Sequence, residues 1–578
     1  MSVKFWVLAS FLLLIASPAA AAESVATLAD DYVAIQMDAQ PVMSDLTGLP
    51  GRHDLLPDIS PAGIARYDSR EAELWAKVSQ LDSTSVPPRQ RATYAVLKEA
   101  LADDIGMQAC RSELWSVNHM FGWQAVFAQA AAAQAVDTPK GRADALARWA
   151  QVPAYLRQDE ANLREGLRLG YSSPKLGYSS PKTVVRRVLI QLDELLAPPA
   201  DASRLASPGL RSDDPAFRAA FVQLVDQAVN PAIRAYRAFL VDTYRPAARD
   251  ELGVSALPNG QACYAASLRM FTTLPRTPAQ VKALGESVVK QNKADVAALG
   301  LARFQTADLP TIYQRVNAAP DNSFASADEF LAYSRAHLAR NIAATRPVFA
   351  DYPRQEVVID PLPVDIKAII PPHYEPQPDL TGPGRFVLPL AVWPTTHRGE
   401  AEILSVHEAV PGHHLQLSSM FERQEATQIS KLVVNAAYSE GWARYAENLA
   451  EELGLYETDY AKIGRRAWQA HGMVLDPGIH VFGWSRDEGI AYLKATGRFN
   501  DDEAAAMLDR IAMVPGQLTA YDTGGLEFLA LRREAKAALG DRFDLRRFHT
   551  AVLEEGAVPL IELRAHVSAW IAAEKARK

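Results

Sequence analysis

Apolar residues recur three and four positions apart along most of this chain, which is the spacing of one buried face on an α-helix. Alanine-rich windows, which favour helix, carry much of this pattern. The pattern predicts a mainly α fold, with helices over residues 64–81, 91–105, 122–136, 143–169, 184–196, 216–244, 278–300, 327–344, 430–453 and 459–474, and over the segment that carries residues 402–414.

Two stretches interrupt the helical pattern. Ten of the chain's 37 prolines fall in residues 353–394, where short strands are predicted over 357–359 and 385–390. The strand at 385–390 either offers an edge to extended substrate backbone or packs inside a small sheet. The other stretch, 197–215, is rich in Pro, Ser and Asp and predicts a linker or long loop between an N-terminal helical lobe (23–215) and a catalytic helical lobe (216–578).

The beginning of the chain predicts export. Residues 1–22 combine Lys4, an apolar run over 5–15 and Ala20-Ala21-Ala22, which together fit a cleavable signal peptide. The run is too short for a transmembrane helix, and no cysteine follows it that could carry a lipid. We therefore expect cleavage after Ala22 and a soluble protein, periplasmic or secreted, with no stable membrane insertion. The alternative is an uncleaved anchor.

Charge and cysteine content narrow the possible partners and environment. The formal net charge of −8 argues against a nucleic-acid partner, which requires a basic face. The two cysteines, Cys110 and Cys263, form one disulfide in an oxidising compartment or remain two buried thiols. The oligomeric state is left open.

The clearest chemical signal is His-Glu-Ala-Val-Pro-Gly-His-His at 407–414, which holds three of the chain's 12 histidines. A helix with His-Glu and a second histidine further along can hold zinc on one face, while the glutamate acts as general base toward a metal-activated water. Glu440, in the Ser-Glu-Gly-Trp segment that begins 26 residues after His413, is placed to supply a third ligand. Three protein ligands leave one position open for water or substrate.

The histidine spacing departs from the usual zinc-peptidase helix, in which two histidines lie four residues apart on one face. Pro411 occupies that position, and the nearest histidine, His413, would lie roughly 9 Å along the axis of an ideal helix. Because proline lacks an N–H and Gly412 is permissive, we predict a kink or bulge that returns His413 to His407. The predicted set is His407, His413 and Glu440 as Zn²⁺ ligands, Glu408 as general base, and His414 as a group that either supports the ligands or faces the substrate.

Two alternatives to this set stay open. His414 faces the right way on a regular helix, although it lies roughly 10.5 Å from His407 along the axis, and it could replace His413 as ligand. The cluster could also be a solvated turn after the Pro-Gly break, an interpretation against which the Ser-Glu-Gly-Trp segment weighs.

Two later residues are candidates to hydrogen-bond the oxyanion that develops opposite the metal. His480 is presented by a predicted turn at 476–480, and Tyr521 falls in a predicted Gly-rich loop at 515–525. The competing roles are a buried histidine that caps the turn and a tyrosine that only packs.

Arg510, at the end of a predicted helix before that loop, is a candidate for binding a substrate carboxylate, because its planar guanidinium binds a carboxylate bidentately. Gln517 is predicted to bind substrate with it. The alternative makes Arg510 a surface residue paired with Asp502 or Glu503.

Several of these motifs together resemble one family. The chain resembles the bacterial domain-of-unknown-function 885 family at His-Glu-Ala-Val-Pro-Gly-His-His-Leu-Gln (407–416), Ser-Glu-Gly-Trp-Ala (439–443), Asp-Pro-Gly-Ile-His-x-x-Gly-Trp-Ser (476–485) and Pro-Gly-Gln-x-x-x-Tyr (515–521). The resemblance implies a mostly helical, exported, gluzincin-like metallopeptidase fold with a small strand region beside the metal helix.

The predicted function is an exported zinc hydrolase of peptide or related amide bonds, with carboxypeptidase or dipeptidase action favoured. A different class is also open, namely a non-catalytic periplasmic peptide-binding protein on the same scaffold, which would have no need of Glu408. A zinc hydrolase of non-peptide esters or cell-wall amides is the third possibility.

Overall fold

A computed structural model of the chain describes residues 24–169, 179–364, 371–423 and 427–577. The predicted signal peptide and its cleavage site lie outside these residues. Among the helices that are described, none is both long and apolar enough to cross a membrane.

Helices dominate the part of the chain before the sheet, as the hydrophobic pattern predicts. They are α1 (Val25–Ala39), α2 (Met43–Thr47), α3 (Pro61–Ser79), α4 (Arg91–Met107), α5 (Trp123–Ala133), α6 (Pro139–Trp149), α7 (Val152–Leu169), α8 (Lys182–Leu196), α9 (Ser207–Arg211), α10 (Pro215–Leu224), α11 (Asn230–Phe239), α12 (Arg245–Ala247), α13 (Gly260–Thr272), α14 (Pro278–Phe304), α15 (Leu309–Ala318) and α16 (Ala327–Thr345). Two π-helical turns, Val225–Val229 and Leu240–Tyr244, join α10, α11 and α12 into the single long helix predicted at 216–244.

Helices also make up the part of the chain that follows the sheet. They are α17 (Arg398–Leu404), α18 (His413–Arg423), α19 (Gln428–Leu432), α20 (Ala436–Glu452), α21 (Asp459–Trp468), α22 (His471–His480), α23 (Arg486–Lys494), α24 (Asp501–Met513), α25 (Gln517–Leu539), α26 (Leu545–Leu553) and α27 (Leu560–Ala576). The fold is therefore mainly α.

The predicted linker at 197–215 is wrong as a description of local structure. This segment forms short helical turns and α9, and it buries Leu205 and Ala206 in one hydrophobic cluster. The same cluster continues through Phe221 to Ala248, so apolar packing holds α10 to the helices before it. The division into two lobes at residue 215 stays a prediction.

Three strands form one small sheet beside the predicted metal helix. They are β1 (Val357–Leu362), β2 (His373–Glu375) and β3 (Gly384–Pro389), in the order β1-β3-β2. β3 pairs in parallel with β1 and antiparallel with β2. Both edges of β3 are thus occupied at residues 385–387, so it is the packed strand of a small sheet, and the prediction of a free edge for substrate is wrong there.

The close approach of α20 to α25 explains a second wrong prediction, the Gly-rich loop at 515–525. A Cβ on Gly524 would lie 1.9 Å from the Ala437 carbonyl oxygen, and one on Gly441 would lie 2.5 Å from Gly524 Cα. These glycines therefore mark a helix–helix contact and not a loop. Tyr521 consequently lies on a helix, within the first two turns of α25.

The segment 476–480 is likewise the last part of α22 and not a turn, with Pro477 inside the helix. Tertiary contacts fix this segment: Asp476 accepts hydrogen bonds from the Tyr264 hydroxyl (2.7 Å) and the Gly516 amide (2.9 Å). A Cβ on Gly478 would lie 2.7 Å from the Trp484 ring, so the glycine permits a close contact.

Cys110 and Cys263 form a disulfide, as one of the two sequence interpretations predicts. Cys110 lies just after α4, and Cys263 lies in α13. The bond links segments 153 residues apart in the sequence.

Candidate metal centre and adjoining pocket

The helix that carries the His-Glu motif contains the predicted bulge. After α17 the chain makes a π-helical turn over Ser405–Ala409, and α18 begins at His413. The Gly412 amide donates to the Val406 carbonyl at 3.0 Å, and a Cβ on Gly412 would lie 2.0 Å from the His407 carbonyl oxygen. The missing side chain of Gly412 therefore lets the chain fold back, and the rings of His407 and His413 lie 4.9 Å apart between centroids.

Glu440 on α20 completes a cluster of three potential metal ligands. Its Oε2 lies 3.4 Å from His407 Nε2 and 3.5 Å from His413 Nε2, and the three ligand atoms all lie within 4.8 Å of one another. Glu440 Oε2 is buried and has no hydrogen-bond partner among the described residues. Ligands about 2.1 Å from a tetrahedral zinc ion lie roughly 3.4 Å apart, so this set fits zinc in chemistry and spacing.

A second layer of charged residues supports the cluster from α20 and α25. Glu447 Oε1 lies 2.9 Å from His407 Nδ1, so this carboxylate accepts a hydrogen bond that orients the ring toward Glu440. Arg444 donates to both oxygens of Glu447, at 2.9 and 3.1 Å, and its Nε lies 3.5 Å from Asp522 Oδ1. Histidines that bind metal ions in proteins usually donate their other ring N–H to a carboxylate, a backbone carbonyl or water.

Proximity of opposite charges sets the protonation of these groups. Burial by itself would lower the pKa of His407, but contact with Glu440 and Glu447 raises that pKa to about 10. Burial by itself would raise the pKa of Glu440, but the two histidines bring it well below its ordinary value. Burial likewise opposes the charge on Glu447, while Arg444 and His407 lower its pKa to about 2.

Glu408, the predicted general base, lies in the π-helical turn directly after His407. It is buried, and none of the described residues forms a hydrogen bond with its carboxylate. Its charge acts on His407, which places it near the cluster. A carboxylate without a protein donor is able to accept a proton from a reactant.

A pocket of about 200 Å³ lies next to the Arg444 side chain, which donates to Glu447 behind the cluster. Arg444, one helical turn after Glu440, lines it together with Tyr521. Burial raises the pKa of Tyr521 to about 12, and the charge of Glu440 adds to that effect. The phenol is therefore a hydrogen-bond donor at neutral pH in the wall of this pocket.

Arg510 and Gln517 meet at the same pocket. Arg510 donates to Gln517 Oε1 from Nε (3.1 Å) and Nη2 (2.9 Å), and Nη2 also donates to the Tyr521 hydroxyl oxygen at 3.3 Å. The alternative in which Arg510 pairs with Asp502 or Glu503 is wrong, because its nitrogens point to these two neutral partners.

Two predicted site residues have structural contacts instead. His480 is fully buried, its Nδ1 accepts from the Val254 amide (3.1 Å), and its Nε2 donates to the Ile511 carbonyl (2.9 Å). Neither ring nitrogen is left for an oxyanion, so the predicted catalytic role of His480 is wrong and the alternative of a buried structural histidine holds.

His414 points away from its neighbour His413. Its Nδ1 lies 3.0 Å from the Tyr374 hydroxyl of β2, and its Nε2 lies 3.1 Å from the Gln355 carbonyl oxygen. The side chain is buried, and burial lowers its pKa to about 4. His414 thus joins the sheet to α18, and the structure contradicts both a substrate-side role and the alternative in which it replaces His413.

The residues that sequence reasoning missed are Glu447, Arg444 and Asp522. Glu440, Arg444 and Glu447 lie at i, i+4 and i+7, so they share one face of α20. Charged residues at this spacing stand out on a helix that is otherwise apolar along one stripe. This pattern could have identified Arg444 and Glu447 from the sequence. Asp522 comes from α25, and no spacing within one helix reveals it.

Comparisons with known proteins address the fold and the family. A structure described as a "putative lipoprotein" from Colwellia psychrerythraea is similar with a TM-score of 0.85 and 22% identity, over 95% of this chain and 99% of that one. A "putative lipoprotein of unknown function" from Shewanella oneidensis gives a TM-score of 0.78 and 19% identity, over 94% and 99% of the two chains. No curated protein matches. The family model described as bacterial protein of unknown function (DUF885) matches residues 41–567, and the chain therefore belongs to the DUF885 family.

Proposed function

We propose that this protein is a gluzincin-like zinc hydrolase that cleaves peptide or related amide bonds. The observation that carries the proposal is the convergence of His407, His413 and Glu440, with their ligand atoms within 4.8 Å of one another and a buried Glu440 oxygen that lacks a hydrogen-bond partner among the described residues. A purely structural ion-pair network has no need to leave that oxygen without a donor.

His407, His413 and Glu440 would hold the ion, and Glu447 fixes the ring orientation of His407 from behind. When bound, zinc supplies Lewis acidity, which polarises a carbonyl and lowers the pKa of water. This donor set, two imidazoles and one carboxylate, is one that catalytic zinc sites use.

Glu408 and Tyr521 would carry the proton transfers and charge stabilisation. The Glu408 carboxylate accepts a proton from the attacking water and returns it to the nitrogen of the leaving amine. The Tyr521 hydroxyl oxygen accepts from Arg510, so its own hydrogen is directed elsewhere and can donate to the oxyanion of the tetrahedral intermediate. Retention of Glu408 beside the ligand set favours catalysis over the alternative of a peptide-binding protein.

We also propose that the protein acts outside the cytoplasm. The Cys110–Cys263 disulfide supports this location, because such bonds persist in oxidising compartments. The similar structures from Colwellia psychrerythraea and Shewanella oneidensis are each described as a "putative lipoprotein", and lipoproteins are a class of exported protein.

The test combines metal analysis with a cleavage screen on the purified mature protein. We expect close to one zinc ion per chain by elemental mass spectrometry and new peptide fragments when a mixed-peptide library is read by mass. A chelator should abolish cleavage, and added zinc should restore it. Stoichiometric zinc without cleavage of any peptide would favour the binding-protein alternative, and absence of zinc would refute the ligand assignment.

A further inference from the structure

We propose that the pocket lined by Arg444, Arg510 and Tyr521 is the subsite for the C-terminal residue of the substrate. In this arrangement Arg510 binds the free α-carboxylate, and Trp468 and Phe499 contact a large apolar side chain. The inference rests on the proposed function only for the hydrolytic step, because binding to the pocket is measurable without hydrolysis. It extends the carboxylate role predicted for Arg510 to a complete subsite with a side-chain preference.

The charges around the pocket single out Arg510 as the group that receives an anion. Three arginines line the pocket: Arg444, Arg498 and Arg510. Arg444 is balanced by Glu447, and its Nε also faces Asp522; Arg498 has Glu400 at 3.5 Å. Arg510 forms no ion pair with any described residue. Its charge acts at longer range on the buried Asp476, and a substrate carboxylate in the pocket would form the direct ion pair that no described residue provides.

Neutral partners hold the Arg510 guanidinium in a fixed orientation. Gln517 Oε1 accepts from Nε and Nη2, and the Tyr521 hydroxyl oxygen accepts from Nη2. No described residue accepts from Nη1. Because its other nitrogens already fix the guanidinium, Arg510 loses little conformational freedom when Nη1 donates to a carboxylate.

The link to Tyr521 places the bound carboxylate next to the reacting bond. Tyr521 contacts Arg510, and its ring centroid lies 5.8 Å from the guanidinium of Arg444, which is one helical turn after Glu440 on α20, so Tyr521 links the pocket to the helix that carries Glu440. A C-terminal carboxylate at Arg510 would leave the preceding peptide carbonyl on the side of Tyr521 and Glu440. That arrangement suits the removal of one residue from a C-terminus.

Asp522 also lines the pocket beside Arg444, and the other part of the wall is apolar and matches a single large side chain. Trp468 and Phe499 pack edge to face with ring centroids 5.0 Å apart, and Met507 and Leu518 line the same space. A volume of about 200 Å³ lies below the roughly 300–1,000 Å³ usual for small-molecule sites, so the pocket accommodates one residue and not a longer segment.

Calorimetric titration of the mature full-length protein with small carboxylates tests the subsite directly. N-acetyl-L-phenylalanine should bind at least about ten-fold more tightly than N-acetyl-L-phenylalaninamide, as expected for a charged hydrogen bond. It should also bind at least about ten-fold more tightly than N-acetyl-L-alanine, which lacks the apolar surface. N-acetyl-L-aspartic acid α-amide, whose carboxylate is on the side chain, should bind as weakly as the phenylalanine amide.

Two variants that each remove one positive charge sharpen the test. Arg510→Gln should abolish the preference for acid over amide, whereas Arg533→Gln, on the exposed face of α25, should retain it. Equal binding of acid and amide to the unmodified protein would overturn the proposal, and so would an unchanged preference in Arg510→Gln. Equally tight binding of the aspartic acid amide would assign the pocket to acidic side chains and overturn the C-terminal assignment.

The outcomes also separate this inference from the proposed hydrolysis. If the protein prefers the acid but cleaves no peptide, the subsite is supported and the proposed hydrolysis is refuted. If the protein cleaves peptides with C-terminal amides as readily as peptides with free C-terminal acids, the proposed hydrolysis is supported and the subsite is refuted.

Discussion

His413 and His414 are neighbours in sequence, yet the structure places them in two different kinds of environment. His413 joins His407 and Glu440, where a carboxylate oxygen lies within 3.5 Å of each imidazole. His414 contacts the Tyr374 hydroxyl and a backbone carbonyl, both neutral, behind the same helix. His480 and His549 resemble His414, since each ring is buried among neutral partners.

The comparison shows that burial alone does not distinguish a reactive histidine from a structural one. Burial lowers the pKa of His414 to about 4 and of His480 to about 3, which keeps both rings neutral. His407 is also largely buried, with 13% of its side chain exposed, but two carboxylates raise its pKa to about 10. A neighbouring carboxylate, more than depth, therefore separates the candidate metal centre from the scaffold.

The largest expected effect comes from removing the proposed base without touching a ligand. Glu408→Gln should lower turnover by about 10²–10⁴-fold, the range for a general acid–base residue, because an amide cannot accept the proton. Zinc content, measured by elemental mass spectrometry on the same preparation, should stay stoichiometric. Loss of zinc together with activity would instead make Glu408 part of the metal centre.

The pair of neighbouring histidines gives the sharpest contrast. His413→Ala should weaken zinc binding by more than about 100-fold, beyond the usual effect of a supporting residue. His414→Ala should retain zinc but lower the free energy of unfolding by about 1–3 kcal/mol, because a buried hydroxyl and a carbonyl lose their partner. Zinc titration and urea unfolding measure the two quantities. The reverse result, with zinc lost only in His414→Ala, would contradict the assignment.

Substitution of Glu447 tests whether the carboxylate that orients His407 contributes to zinc binding. Glu447→Gln should lower zinc affinity or activity by about 10–100-fold, because the His407 ring loses its charged acceptor. Glu452→Gln is the matched control on the same helix. It removes only an ion pair with Arg532 at a half-exposed position and should have little effect. Equal effects in the two variants would remove Glu447 from the site.

The smallest effect is a pH dependence of stability that differs in sign between two histidines. The folded-state pKa of His480 is lowered to about 3, below the unfolded value near 6.5, so its contribution is complete above pH 6.5 and is lost as pH falls. The stability gap between the unmodified protein and His480→Gln should therefore narrow below pH 6.5, by about 1.4 kcal/mol per pH unit.

His566 supplies the opposite case for comparison. Its hydrogen bond to Glu554 raises its pKa, so its contribution is present below the unfolded value and lost as pH rises. The difference in free energy of unfolding between the unmodified protein and His566→Gln should therefore widen as pH falls. Urea unfolding of both histidine variants and of the unmodified protein between pH 5 and 8 measures these differences. Parallel profiles for the two variants would show that the different surroundings of the two rings have no effect on proton binding.

The sequence by itself determined the helical architecture and the three residues of the candidate metal cluster. Helix periodicity is a local property, because side chains three and four residues apart share a face whatever lies opposite. His407, His413 and Glu440 are also predictable from the sequence, because Pro411 and Gly412 indicate a local break in the helix. The structure contains that break as the π-helical turn followed by the start of α18. The disulfide followed from compartment and cysteine number as one of two possibilities.

Tertiary structure alone decided which polar residues join the site. Gly524 and Gly525 suggested a loop, but they allow α25 to approach α20, and that contact brings Tyr521 and Asp522 to Arg444. His480 has motif neighbours like those of a catalytic residue, yet the backbone groups of Val254 and Ile511 occupy both its nitrogens. These partners lie 226 and 31 residues away in sequence, and only the packing of whole helices brings such distant groups within hydrogen-bond distance.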